Sequence, residues 1–285
     1  METVEFLQQL DHPVIYWLMR LLSFLGDEPF YFLLLPVVLW CWDARRALPL
    51  TVILMGSIYL NFVLKNLFGL HRPVGTALIE VSGFGFPSGH AQHAVVLWGF
   101  LAQAAGKHYF PAAALVFFIG LSRIYLGVHF PADVVSGWSI GFVWLMLALY
   151  VLSLVKKGKT FLSAVPAVGV VFMITLWMAL FYPTEESIMV SGILFGLIGG
   201  IVLERRFVRY FPVRLTVKQV IRIILGIISV ILVKACLDVL VPATPVCHFI
   251  QYAVLGIWIS LVVPTVFVRM GVSGERPEAS SIDSE

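Results

Sequence analysis

Long apolar segments constrain this chain more than any other feature. From about residue 29 onward, the sequence repeatedly runs through about 20 mostly apolar residues before a short polar break. Because a backbone inside a bilayer must satisfy its own hydrogen bonds, such segments fold as transmembrane helices. Charged residues make up only 12% of the chain, about half their share in a soluble domain. The sequence therefore predicts an all-α polytopic membrane protein.

The apolar pattern predicts about nine transmembrane helices. Their approximate bounds are 29–44, 48–69, 88–106, 109–127, 132–155, 160–182, 187–203, 217–241 and 246–269. The hydrophilic residues 273–285 are predicted to be a disordered tail. Cys41, Cys236 and Cys247 are too few for a disulfide framework, and we interpret them as free thiols.

The first 27 residues differ from the rest because polar side chains alternate with large apolar ones. A cleaved signal peptide would have a basic start and a clean apolar centre, and this segment has neither. We interpret residues 1–27 as an amphipathic segment lying in the membrane interface, with a poorly packed first span as the alternative. In that interpretation Trp17, Leu18, Leu21 and Phe24 lie in the outer interface beside the site and guide acyl or prenyl chains.

The positive charges predict which way the helices cross the membrane. Most of the 19 Lys and Arg residues fall in alternate loops, such as those at Arg45, Lys156 and Arg205. By the positive-inside rule those loops face the cytoplasm. The net charge of +3 is too small to indicate a nucleic-acid partner. The chain has no N-x-S/T sequon, which disfavours a glycosylated eukaryotic surface protein. We expect a bacterial cytoplasmic membrane protein.

One polar stretch, from Ser122 to Asp133, places an Arg, a His and an Asp between two apolar segments. Charge at such a place is costly unless it serves a function. The Arg123 guanidinium matches phosphate oxygens, and His129 is a potential nucleophile. If Pro131 opens a helix, Asp133 lies one turn from His129 and accepts its N–H. That arrangement leaves the other imidazole nitrogen free to attack phosphorus.

Two earlier stretches add cations and a helix start on the same predicted side, opposite the basic loops. Lys65 precedes Arg72 and Pro73 in the first stretch. The second stretch reads Pro-Ser-Gly-His from residue 87 to residue 90. Ser88 is predicted to be the N-cap of a helix whose first N–H groups point at an anion.

Together these three blocks resemble the signature of the type 2 phosphatidic acid phosphatase superfamily. That signature is K-x6-RP, then PSGH, then SR-x5-H-x3-D, and every position is matched here. The superfamily includes lipid phosphatases, glucose-6-phosphatases and vanadium haloperoxidases. The resemblance covers about residues 28–155 and implies a six-helix phosphatase core in residues 28–182. The three helices in residues 183–272 are then an addition to that core.

The resemblance also implies a role for each residue of the three blocks. His129 is the nucleophile that forms a phosphohistidine, and Asp133 holds it. His90 is the general acid and base. The substrate phosphate is bound by Lys65, Arg72, Ser88, Gly89 and Arg123. In this mechanism neither a metal nor another cofactor is required, since three cations stabilise the transition state.

The substrate is less constrained than the reaction. The blocks lie at span ends, near headgroup depth, and the loop from residue 73 to residue 86 offers few hydrogen-bonding side chains for a sugar. We therefore expect a lipid phosphate monoester or an isoprenoid diphosphate, cleaved at the periplasmic face. The alternatives are a glucose-6-phosphatase-like hydrolase of a soluble sugar phosphate and a non-catalytic transporter or receptor. The oligomeric state is left open by the sequence.

Two further patterns invite functional interpretations. Lys234 and Asp238 share one face of a late span, where they either neutralise each other for insertion or contact the substrate headgroup. A zinc site would recruit side chains that are good zinc ligands, namely His71, His90, His93, His129 and Asp133. The zinc alternative is disfavoured because the blocks would then surround the cation with three positive side chains.

Overall fold

The computed structural model describes residues 2–9, 12–42, 44–106, 108–157, 177, 184–212, 216–242 and 244–275. The chain divides into two compact units. Unit 1 consists of residues 1–33 and 49–161, and unit 2 consists of residues 34–48 and 162–285.

Both units are built from helices. In chain order the helices are α1 (Glu2–Gln8), α2 (Pro13–Phe24), α3 (Glu28–Cys41), α4 (Ala44–Phe68), α5 (Gly89–Ala105), α6 (Tyr109–Tyr125), α7 (Pro131–Lys157), α8 (Glu185–Phe207), α9 (Thr216–Leu240), α10 (Pro245–Ile257) and α11 (Val263–Arg269). A π-helical turn, Trp258–Val262, joins α10 to α11. Two short strands, β1 (Tyr210–Phe211) and β2 (Gly274–Glu275), pair antiparallel.

The predicted spans coincide with described helices except at 160–182, which lies outside the described residues apart from Trp177. Among the described residues, five helices are long and apolar enough to cross a membrane. The number rises to six if α2 and α3, which meet at a 55° bend, form one span. Helix α3 has 14 residues and α5 and α6 have 17 each, short of the ~20 that a bilayer requires. The count of nine spans therefore remains a prediction.

The amino-terminal segment is an integral part of unit 1. Helix α1 buries Val4 completely in a cluster with Ala91, Ile124 and Val134. The side of helix α2 that faces away from the unit exposes large apolar side chains. That face consists of Val14, Trp17, Leu18, Leu21 and Phe24. The interfacial interpretation of residues 1–27 thus omitted the packing of their inner face against the helices that follow.

The carboxyl-terminal prediction needs one correction. Gly274 and Glu275 pair with β1 instead of belonging to a disordered tail, because the backbone of Tyr210 and Phe211 offers them hydrogen-bonding partners. Residues 276–285 lie outside the described part of the chain.

Close helix packing in unit 1 depends on two glycines of α7. A Cβ atom at Gly137 would lie 2.5 Å from the carbonyl oxygen of Ser88, and one at Gly141 would lie 2.5 Å from that of Gln92. Both distances are below van der Waals contact, so only glycine permits this approach. The absence of these two side chains lets α7 pack against the start of α5, where the second sequence block lies.

Unit 2 uses the same device between α8 and α10. Built Cβ atoms at Gly192 and Gly196 would lie 2.6 Å from the carbonyl oxygen of Phe249 and 2.0 Å from that of Ala253. Small residues at four-residue spacing are a common way for membrane helices to come into contact.

Candidate active site

The three sequence blocks meet at one end of unit 1. Lys65 lies in the last turn of α4, Arg123 in the last turn of α6, and Asp133 in the first turn of α7. The backbone N–H of Ser88, just before α5, donates to the carbonyl oxygen of Asp133 at 3.0 Å. This bond ties the second block directly to the third.

His129 lies in the short connection between α6 and α7 and is 1% exposed. Nη1 of Arg72 lies 3.1 Å from its Nε2. Because a guanidinium only donates hydrogen bonds, Nε2 must be the acceptor in this contact, and the imidazole proton therefore resides on Nδ1. The Nε2 lone pair, which a nucleophile requires, thus faces the cationic side of the site.

Asp133 lies on the opposite side of the same imidazole. Its Oδ2 is 3.4 Å from Nδ1 of His129 and accepts a hydrogen bond of 2.9 Å from the N–H of Phe130. The contact with Nδ1 is electrostatic and too poorly aligned to be a hydrogen bond, so Nδ1 has no partner of that kind. The predicted i, i+4 proximity is present, but the N–H bond that was expected to hold His129 is not formed.

Backbone carbonyl groups orient two of the three cations. Arg72 donates through Nε to Gly83 at 3.1 Å and through Nη1 to Val128 at 3.0 Å. Lys65 donates through Nζ to Phe84 at 2.6 Å. The loop between α4 and α5 therefore folds back and holds both side chains at the site.

The third cation, Arg123, is 2% exposed. Its Nη1 donates to Oγ of Ser23 at 2.5 Å, and its buried Nε has no hydrogen-bond partner. Oγ of Ser88 is also buried without a partner. A buried donor without a partner costs about 1–3 kcal/mol, so these atoms are suited to binding a further polar group.

The predicted capping role of Ser88 is half right. The residue does occupy the N-cap position of α5, with extended backbone dihedrals, but its side chain makes no capping hydrogen bond. The hydroxyl remains available, as do the first N–H groups of the helix, which are unpaired within any α-helix. A Cβ atom at Gly89 would lie 2.9 Å from Oδ1 of Asn61, so a larger residue there would require the Asn61 side chain to shift.

Electrostatics keep the nucleophile candidate neutral. Burial lowers the pKa of His129 well below its ordinary value of 6.5, and the positive charges of Arg123, Arg72 and Lys65 lower it further. Burial also lowers the pKa of Arg72. The site combines a neutral imidazole with clustered positive charge, which suits an anionic electrophile.

A loop residue of the third block also has a strict requirement. Gly127 has a φ of +71°, and a Cβ atom there would lie 1.9 Å from the carbonyl oxygen of Thr76. That same carbonyl accepts a 2.8 Å hydrogen bond from Nε2 of Gln8. This close approach gives Gly127 a packing role, whereas the contribution of Gln8 had no sequence signal.

Asp27, in the bend between α2 and α3, is the main site residue that sequence reasoning missed. Its Oδ1 contacts Nε2 of His90. Ser23, the partner of Arg123, precedes it by one turn. Neither residue belongs to a motif, and 63 positions separate Asp27 from His90.

Behind Gly89 lies a buried polar network that also had no signal. Nδ2 of Asn61 donates to Oε1 of Gln92 at 2.9 Å, and Nε2 of Gln92 donates to Oγ of Ser57 at 3.0 Å. Nδ1 of His93 lies 3.1 Å from the same Ser57 hydroxyl. His93 thus packs in this network, apart from the proposed catalytic histidines.

The zinc alternative receives no support from this arrangement. The part of the chain that the structure describes contains no group of three or more His, Cys, Asp or Glu side chains placed to hold a metal ion. His71 is exposed in its loop.

Lys234 and Asp238, the predicted headgroup contacts, lie on α9 in unit 2. Nζ of Lys234 contacts Oδ1 of Asp238 and lies 5.5 Å from the ring centroid of Tyr252. Nε2 of Gln251 donates to the same carboxylate oxygen at 2.5 Å. The pair is thus satisfied within its own unit, and contact with a headgroup stays a prediction.

The helices and the arrangement of polar side chains define a class of protein. The long apolar helices make the chain an integral membrane protein, and clustered cations surround a neutral histidine at one end of unit 1. The chain belongs to the PAP2 superfamily. Residues 46–157 match that superfamily, and residues 188–275 match the transmembrane extension of its phosphatases.

Relatives with assigned names are similar over part of the chain. Phosphatidylglycerophosphatase B of Bacillus subtilis is 36% identical over 113 residues, which cover 36% of this chain and 54% of that protein. Lipid phosphate phosphatase delta of Arabidopsis thaliana is 26% identical over 253 residues, which cover 75% of this chain and 60% of that protein. The matched region thus spans little more than half of each relative.

Among solved structures, a PAP2-type phosphatidylglycerolphosphate phosphatase from Bacillus subtilis is similar with a TM-score of 0.48 and 26% identity. The match covers 56% of this chain and 86% of that one.

Proposed function

We propose that this protein is a membrane phosphatase that hydrolyses a lipid phosphate monoester or an isoprenoid diphosphate through a phosphohistidine, without a metal ion. The observation that carries the proposal is the donation from Arg72 to Nε2 of His129. It presents the lone pair of a neutral imidazole to the place where the cations would bind phosphate oxygens. Both relatives above are named as phosphatases of lipid phosphates, and this similarity supports a lipid substrate.

The first chemical step follows from this geometry. When phosphate binds, the Arg72 N–H turns from Nε2 to a phosphate oxygen, together with the donors of Lys65 and Arg123. The lone pair of Nε2 attacks phosphorus opposite the leaving oxygen, so the P–N bond forms as the P–O bond breaks. His90 gives a proton to the departing oxygen.

The second step restores the enzyme. Water attacks the phosphohistidine, His90 takes a proton from that water, and the P–N bond breaks. Inorganic phosphate leaves, and His129 is neutral again. Asp133, 3.4 Å from Nδ1, stabilises the positive charge that the imidazole carries while phosphorylated.

Substrate and nucleophile are tested together in detergent–lipid micelles. The assay measures released phosphate from phosphatidate, phosphatidylglycerophosphate, an isoprenoid diphosphate and glucose 6-phosphate, with a metal chelator always present. We expect the lipids to be cleaved far faster than the sugar phosphate. His129→Ala should lose at least about 10³-fold in kcat, while His71→Ala, an exposed histidine beside Arg72, should stay within about twofold of wild type.

Four results would contradict the proposal in different ways. Preferred turnover of glucose 6-phosphate would favour the soluble-sugar alternative. Retained activity in His129→Ala would exclude a phosphohistidine intermediate at that residue. Phosphate release that needs added zinc would replace the metal-free mechanism, and no release from any compound would favour a non-catalytic scaffold.

The proposed site faces the periplasm of a bacterial cytoplasmic membrane. This orientation is supported by α7, which begins at the site and ends at Lys156 and Lys157, on the side where basic residues accumulate. The test uses a background in which the three cysteines are replaced by serine. Val74→Cys, 83% exposed in the site loop, should react with an impermeant maleimide in intact cells. His108→Cys, at the other end of α5 and α6, should react only after lysis, and the reverse pattern would place the site inside.

A further inference from the structure

The bend between α2 and α3 contributes a carboxylate to the site that belongs to none of the three sequence blocks. Oδ1 of Asp27 contacts Nε2 of His90, with 37% of the Asp27 side chain and 20% of the His90 side chain exposed. The inference below rests on the proposed function, in which His90 transfers the protons.

The backbone of this bend is fixed by several contacts. The hydroxyl of Tyr31, which is 1% exposed, donates to the carbonyl oxygen of Gly26 at 2.9 Å. The N–H of Asp27 donates to the carbonyl oxygen of Phe24 at 3.0 Å. A Cβ atom at Gly26 would lie 3.1 Å from Cδ2 of His90, so the bend passes directly over the imidazole. The carboxylate is therefore held in place by its own segment.

The same segment contacts a second member of the site. Oγ of Ser23, in the last turn of α2, accepts a hydrogen bond from Arg123. One turn of helix and the following bend thus touch both a phosphate-binding cation and the proton-transfer histidine. Two such contacts from five residues, 23–27, indicate that the segment is built into the active site.

The charges around His90 make a carboxylate there consequential. Burial and the positive charges of Arg123 and Lys65 disfavour the protonated form of His90, whereas the hydrogen bond and the negative charge of Asp27 favour it. His93 and His129 are the neighbouring imidazoles that His90 influences, and Arg20 acts on Asp27. A nearby cation disfavours a protonated imidazole, whereas a hydrogen-bonded carboxylate favours it. Without Asp27, His90 would face mainly positive charge.

We propose that Asp27 is the positioning residue of the general acid. It holds the Nε2–H of His90, fixes the ring orientation, and stabilises the protonated imidazole before the leaving oxygen departs. The transferred proton then comes from Nδ1 of His90 and passes to that oxygen. The Nε2 proton stays on His90 throughout and remains hydrogen-bonded to Asp27. In the second step the attacking water returns a proton to Nδ1. A carboxylate that orients a functional histidine is a common arrangement in enzyme sites.

The test separates positioning from structural support through the leaving group. An alkyl alcohol needs a proton as it departs, whereas p-nitrophenolate does not. The value of kcat/KM reports the step in which the leaving group departs. Asp27→Asn should lower kcat/KM about 10- to 100-fold for phosphatidate, but less than about threefold for p-nitrophenyl phosphate. Asp27→Glu should recover part of the loss. The matched control is Glu28→Gln, at an exposed neighbour of the same charge. This variant should leave kcat/KM for both substrates unchanged.

A double variant shows whether Asp27 acts through His90. If it does, Asp27→Asn combined with His90→Gln should lose no more activity on phosphatidate than His90→Gln alone. Equal losses of Asp27→Asn on both substrates, or multiplicative losses in the double variant, would overturn the proposal and leave the proposed function intact.

A spectroscopic measurement keeps the inference testable if a variant folds poorly or the wild type cleaves none of these compounds. Histidine labelled with ¹⁵N, assigned for His90 by comparison with His90→Gln, reports the state of Nε2 in the wild-type protein. We expect a protonated, hydrogen-bonded Nε2. An unprotonated Nε2 at neutral pH would refute the pairing, whereas failure of the proposed function would appear as wild-type inactivity with the pairing still visible.

Discussion

Arg123 in unit 1 and Arg222 in unit 2 are both almost completely buried, and their surroundings differ in an informative way. Arg222 donates through Nη1 to the hydroxyl of Tyr210 at 3.1 Å and through Nε to the carbonyl oxygen of Lys218 at 3.3 Å. Arg123 has one hydrogen bond, to Ser23, and a buried Nε without any. Arg222 is satisfied within its own unit, whereas Arg123 keeps its Nε donor without an acceptor.

The number of hydrogen bonds that a buried charge makes distinguishes a structural role from a functional one. Burying an ion is tolerated when hydrogen bonds replace its lost water. Unit 2 meets this condition at Arg222, and the hydroxyl of Tyr210 in turn donates to the carbonyl of Trp40. Unit 1 leaves Nε of Arg123 and Oγ of Ser88 unsatisfied at the same end. Unsatisfied donors beside a neutral histidine support the proposed phosphate site.

The largest expected difference between the two arginines is in catalysis. Arg123→Met should lower kcat about 10³-fold, because it removes a cation that offsets charge in the transition state. Arg222→Met should leave kcat per folded molecule unchanged and destabilise the protein by about 1–3 kcal/mol, since hydrogen bonds are lost. Phosphate release and thermal unfolding of both variants provide the measurement. Similar kcat losses in the two variants would show that the contrast has no functional meaning.

The pH dependence sharpens the description of unit 1. Because burial and the neighbouring cations lower the pKa of His129 well below 6.5, its Nε2 lone pair persists in mildly acidic solution. On acidification, kcat/KM should fall through protonation of His129 only well below pH 6.5. The measurement is a pH–rate profile on p-nitrophenyl phosphate, whose leaving group needs no general acid. An acid limb already near pH 6.5 would mean that His129 is not in the cationic surroundings described above.

The smallest expected effect concerns Lys234 and Asp238 in unit 2. If the pair only neutralises charge on α9, Lys234→Met should leave KM for the lipid unchanged. Stability should fall by about 1 kcal/mol or less, because both side chains are substantially exposed. A several-fold rise in KM without loss of stability would instead support headgroup contact and give unit 2 a share in substrate binding.

Helix positions and block residues could be predicted because they depend on local properties. Apolar length predicts a helix, and Pro131 opens α7 at its first residue, as expected of proline. Span number was less predictable, since α3, α5 and α6 are too short to be assigned by length alone. The proximity of Asp133 to His129 was predictable from one helical turn, but the 3.4 Å separation that leaves Nδ1 without a hydrogen bond was not.

The sequence by itself determined the membrane class, the superfamily, and which residues are proposed as the cations and the nucleophile, because each follows from composition or from short ordered blocks. Only the tertiary structure decided which imidazole nitrogen of His129 is free and which donors have no partner. It alone brought Asp27 to His90. These features depend on contacts between helices far apart in the chain, where distance and orientation arise from packing and no local pattern records them.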